Sequence, residues 1–70
     1  MRLSRHARNE MRLYRISAED VEAVVEAPTE RALDERGNQR LGAERPGGRR
    51  ILVIVAADDP EFVITVFLRS

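Results

Sequence analysis

The closing stretch of the chain constrains the fold most. Ile51-Leu52-Val53-Ile54-Val55 is apolar at every position, and Phe62-Val63-Ile64-Thr65-Val66-Phe67-Leu68 is broken only by Thr65. Both runs are rich in β-branched and aromatic side chains, and Asp58-Asp59-Pro60-Glu61 lies between them as a turn. The pattern predicts an antiparallel hairpin with strands over about 49–57 and 62–69. A strand that is apolar on both faces needs cover on both faces. The chain has 70 residues, one domain spanning 1–70. A domain of that size buries only about 60% of the surface exposed by its unfolded chain. Eight of its apolar residues are alanine, which leaves 22 larger apolar side chains to build a core.

The first half reads as two short helices. Over about 3–15, Leu3, Ala7, Met11, Leu13 and Tyr14 fall on one broad arc at helical spacing, with Ser4 placed to cap. Arg5, Arg8, Arg12 and Arg15 fall on the opposite face, while His6 and Glu10 lie within the inner arc, one turn apart. Over about 18–27, Ser17 and Asp20 have capping-box spacing. Glu19, Asp20 and Glu22 suit the positive end of the helix dipole. Ala18, Val21, Val24 and Val25 form an apolar stripe that Pro28 ends.

Residues 29–36 fit either a short helix or an edge strand, and we take the strand. Gly37-Asn38 is then a hairpin turn, a return strand runs over about 39–45, and Pro46-Gly47-Gly48 turns the chain again. Both strands are charged, as edge strands are when they avoid pairing with another molecule. The expected fold is α+β, with two N-terminal helices packed on one face of a four-stranded antiparallel meander sheet. The other face of the hairpin would then be covered by a second copy of the chain, a homodimer, or by a protein partner. The alternative is that arginine side chains and the curl of the sheet shield it.

Formal net charge is zero, with 12 arginines against 12 acids and no lysine. That zero is the sum of four blocks: +4 over 1–15, −6 over 16–35, +4 over 36–50 and −2 over 51–70. Alternating blocks can pair on folding or present separate basic and acidic faces. Arginine suits bidentate contact with phosphate or carboxylate, so Arg5, Arg8, Arg12, Arg49 and Arg50 are candidate RNA-binding residues. No aromatic stacking platform accompanies them. No apolar run approaches the ~20 residues of a membrane helix, and no h-region follows the basic start. The expectation is a cytoplasmic protein without membrane contact.

The chain has no cysteine and a single histidine, so neither a disulfide framework nor a transition-metal site is expected. It has no phosphate-loop or dinucleotide glycine pattern, and no cofactor is expected. His6 is the one side chain whose ordinary pKa lies near neutrality. Glu10, four residues on, can reach it on a helix. Such a pair can serve as acid and base in RNA cleavage, where the ribose 2′-hydroxyl is the nucleophile and no metal is needed. A helix histidine hydrogen-bonded to its neighbour has the same spacing. Thr65 can position a phosphate or stabilise developing charge, or be an ordinary strand threonine. His6, Glu10 and Thr65 are the candidate catalytic residues, and the residues leave open whether the chain is an enzyme.

His6-Ala7, Met11, Ile16-Ser17 and Asp20-Val21 resemble the opening of the bacterial domain of unknown function 4258 family. The resemblance continues through Val24-Val25, Pro28, Gly37, Ile51–Val55 and Ile64-Thr65-Val66. This family is similar in layout to the RelE-like and BrnT-like ribonuclease toxins of toxin–antitoxin pairs. The resemblance implies metal-independent RNA cleavage or RNA binding, with His6 and Thr65 as matching positions, and an antitoxin-like protein partner on the exposed sheet face. The sequence departs at Glu10, where members of the family often carry an arginine able to hold phosphate. The other reading is a dimeric, non-enzymatic interaction module, or a toxin-like fold that has lost its chemistry.

Overall fold

A computed structural model describes residues 1–69. Its elements in chain order are β1 (Arg2–Leu3), α1 (Arg5–Tyr14), α2 (Ala18–Glu26), β2 (Glu30–Leu33), β3 (Gln39–Arg45), β4 (Arg49–Ala56) and β5 (Asp59–Arg69). The architecture is α+β, with the helices ahead of the meander. Among the described residues the sheet has five strands, not four, in the order β1-β5-β4-β3-β2. It is mixed, because β1 runs parallel to β5, pairing Arg2 with Phe62 and Leu3 with Val63. A two-residue strand leaves no periodic trace in the sequence, so Leu3 reads as helix. Ser4 then ends the strand and starts the helix. Its amide donates to the Val63 carbonyl, and its hydroxyl donates to the Ile64 carbonyl while accepting from the Ala7 amide. The first helix therefore begins at Arg5 and stops at Tyr14.

Helix α1 ends because Arg15 adopts a left-handed conformation, φ 55°. The Ile16 amide then reaches back to the Met11 carbonyl at 2.8 Å, and the Ile16 side chain enters the core at 4% exposure. This reversal gives Ile16 the buried place that the helical arc assigns to Leu13 and Tyr14, which are 68% and 39% exposed. Helix α2 starts with the expected capping box. The Asp20 amide donates to Ser17 Oγ at 3.0 Å, and the Ser17 amide donates to Asp20 Oδ2 at 3.4 Å.

The segment 29–36 is a strand, but only over Glu30–Leu33. Asp34 leaves the ladder because its Oδ1 accepts the amides of Arg36 and Asn38, both at 2.8 Å. Desolvation pushes the Asp34 carboxyl up, but these amides and the Asn38 side chain outweigh it and lower its pKa. The turn is thus a loop closed by Asp34, wider than Gly37-Asn38 alone. Asn38 Oδ1 also accepts the Ala57 amide at 2.9 Å, tying this loop to the β4–β5 hairpin. That hairpin turns at Ala57-Asp58, and Asp59 and Pro60 already belong to β5. Pro60 fits there because it precedes the stretch paired by β1, where a missing N–H removes no bond to β1.

Both helices lie on one face of the sheet. Ala7, Ile16, Val21 and Val24 pack with Leu41, Ala43, Ile51, Val53, Val55, Val63 and Val66. The opposite face carries Leu52, Ile54 and Phe67, and there Leu52 is only 1% exposed. Its roof is the Glu30 carboxylate, held 3.4 Å from Arg50 Nη2 and 3.5 Å from Arg69 Nη1. Polar side chains therefore shield this part of the face, while Ile54, Ile64 and Phe67 stay half-buried.

Gly42 makes the roof possible. A Cβ there would lie 2.5 Å from Glu30 Oε1 and 2.7 Å from Leu52 Cδ2. Gly42→Ala should destabilise the fold by about 2 kcal/mol, the usual cost of overpacking a closed site. Urea unfolding measures it, and a neutral result would show that the Glu30 roof swings away freely.

Candidate nucleic-acid interface

Ion pairing sorts the arginines into two groups. Arg2 pairs with Asp59, and its guanidinium lies 5.5 Å from the centre of the Phe62 ring. Arg45 Nε donates to Asp20 Oδ1 at 2.9 Å. Arg49 lies 3.9 Å from Asp20 Oδ2 and donates to the Tyr14 carbonyl at 2.6 Å, which satisfies an acceptor at the end of α1. Arg50 and Arg69 share Glu30. Two of the five candidate RNA-binding residues, Arg49 and Arg50, are thus engaged within the fold.

The other three are not. Arg5, Arg8 and Arg12 are exposed on α1 and have no ion pair among the described residues. Their spacing of three and four residues sets them in one row along the helix. Helix α1 turns Ala7 into the core and Met11 partly toward it, so the row faces solvent.

The candidate catalytic residues do not form one cluster. His6 is exposed in the first turn of α1, and Glu10 is half-buried one turn on. Neither makes a side-chain hydrogen bond among the described residues, and the same holds for Thr65. Thr65 lies opposite Ile54 on the helix-free face. His6 and Glu10 belong to the helix that packs on the other face. A bulge in β5 shifts the register near Ile54 and Val55, and both Ile64 and Thr65 line one cleft.

That cleft, of about 550 Å³, lies on the helix-free face between β5 and the Asp34 loop, and Arg36, Asn38 and Arg40 also line it. No pattern in the sequence marks these three residues, because they reach the cleft through the Asp34-closed loop and the strand register. Among the described residues no group of three His, Asp or Glu side chains is arranged to hold a metal ion. No helix among them is long and apolar enough to cross a membrane.

Fold and surface together define a small α+β domain with an arginine row on its first helix and a mixed sheet whose helices cover one face only. Residues 3–68 match the model of the domain of unknown function DUF4258, and the chain belongs to that family. No curated protein and no solved structure matches it.

Proposed function

We propose that the protein binds the phosphate backbone of RNA through Arg5, Arg8 and Arg12. One observation carries this reading: of the arginines without an ion pair among the described residues, Arg5, Arg8 and Arg12 stand in one solvent-facing row along α1, whereas Arg2, Arg45, Arg49, Arg50 and Arg69 are engaged by Asp20, Asp59 and Glu30. Exposed guanidinium groups hold phosphates without selecting bases. His6 is exposed in the first turn of the same helix but on a different face from the row, so an RNA chain must cross the helix to bring a ribose 2′-hydroxyl to it. RNA cleavage of the RelE-like or BrnT-like kind would rest on His6, without Thr65 beside it. Glu10 is half-buried on the side of α1 away from the row and offers a phosphate no cation there, unlike the arginine common in the family.

Binding to a single-stranded oligoribonucleotide should weaken as salt rises, each neutralised phosphate adding about −0.7 to the logarithmic slope. Replacing Arg5, Arg8 and Arg12 by serine should flatten that slope by about 2. No binding at low salt, or an unchanged slope in the triple variant, would sink the reading. His6→Ala should leave binding intact and abolish any cleavage.

The second reading, a non-enzymatic interaction module, is favoured by the half-buried Ile54, Ile64 and Phe67 and by Leu33, which is 72% exposed.

A further inference from the structure

The helix-free face is ordered in three rows across β3, β4 and β5. The middle row is Gly42, Leu52 and Phe67. On one side lies the row Arg40, Ile54 and Thr65, and on the other the row Glu44, Arg50 and Arg69. Arg40 and Glu44 are both exposed and have no ion pair among the described residues. Along β3 the face therefore reads cation, glycine, anion, a pattern that is complementary to its own reverse.

We infer that this face is a homodimer interface whose two-fold axis runs across the strands, over Gly42, Leu52 and Phe67. Two sheets pack face to face about 10 Å apart, and an isologous pair needs an axis in the plane between them. An axis along β4 sets each row on its own copy, which brings Arg50 against Arg50. An axis across the strands exchanges the outer rows. Arg40 then meets Glu44 of the partner subunit, and Glu44 meets Arg40 of the partner subunit. Phe67 meets Phe67 of the partner subunit on the axis. Ile54 is covered by the aliphatic stem of Arg50 of the partner subunit.

Glu30, paired with Gly42, extends the middle row into β2 and meets its own copy on the axis, where Arg50 and Arg69 of each chain flank the two carboxylates, a neutralisation that Arg50 against Arg50 lacks. Zero net charge removes the global repulsion that keeps like chains apart. The arginine row of α1 lies on the helical side, so dimer formation leaves it free.

Sedimentation equilibrium across the micromolar range tests the inference. The wild type should dimerise. Arg40→Glu creates two symmetry-related like-charge contacts and should weaken the dimer roughly tenfold. Arg40 is exposed, so this variant should keep the wild-type circular dichroism. The double variant Arg40→Glu/Glu44→Arg reverses both partners and should restore the wild-type dissociation constant. A wild type that stays monomeric overturns the inference, whether or not another polypeptide binds this face. So does a dimer indifferent to Arg40→Glu, or one that the second substitution fails to rescue.

Discussion

Ile51→Ala is expected to lower the unfolding free energy by about 4 kcal/mol, and Leu52→Ala by about 2, both within the range known for large-to-small core substitutions. The two residues are neighbours in β4, and their burial is nearly equal at 0% and 1% exposure. What differs is what lies above them. Ile51 belongs to the cluster under the helices, walled by valines that strand and helix backbones hold in place. Removing its methyl groups leaves a cavity that these walls cannot close. Leu52 lies under the Glu30 carboxylate and its two arginines. Those long side chains can sag into the space, and the cavity term shrinks. A domain of this size has a total stability of roughly 4–10 kcal/mol, so Ile51→Ala should remove a large part of it. Urea titrations of both variants decide the matter. Equal losses would mean that the ion-paired roof packs as rigidly as the helices do.

The same contrast explains what the sequence could disclose. The two-sided hairpin, the capping box at Ser17 and Asp20, and the glycine turn at Gly47-Gly48 are local signals, and the structure keeps all of them. Strand β1 leaves no local signal, because it exists only through its pairing with Phe62 and Val63, far along the chain. The division of the hairpin was legible only as two alternatives. Alternation says that Ile51, Val53 and Val55 share a face, but not which face the helices choose.

The candidate site was legible in part. Helical spacing sets Arg5, Arg8 and Arg12 in one row, and they stand so. That Arg49 and Arg50 are occupied depends on Asp20, Tyr14 and Glu30, residues 20 or more positions away. Helical spacing puts His6 and Glu10 on the inner arc only when Leu13 and Tyr14 are counted as buried. Those two are exposed, so the buried arc narrows to Ala7 and Met11, and His6 faces solvent.

Asp20→Ala should cost about 3 kcal/mol, because it removes a cap and a partly buried charge-assisted hydrogen bond together. Asp20 joins three elements. It closes the capping box of α2 with Ser17, accepts from Arg45 at the end of β3, and lies near Arg49 at the start of β4. Its side chain is 16% exposed, and that of Arg45 is 24% exposed. Ser17→Ala removes only the cap and should cost about 1 kcal/mol.

The acid response separates these contributions. The Arg45 hydrogen bond holds the Asp20 carboxyl below its ordinary 3.8, against a desolvation that raises it and with help from Ser17. A carboxylate with a depressed pKa in the folded state stabilises the fold fully above the unfolded value and loses that contribution as pH falls through the folded one. Wild-type stability should therefore fall as pH drops below about 3.8. Asp34, lowered in the same direction, contributes its own part to that fall. Asp20→Asn keeps a side-chain oxygen for the cap but carries no charge. It should be less stable than wild type at neutral pH and approach it in acid, with a shallower acid limb. Urea midpoints measured at neutral pH and again below pH 3.8 check the sign. A difference between Asp20→Asn and wild type that stays constant across that span would mean that the Asp20–Arg45 pair contributes no charge-dependent stability.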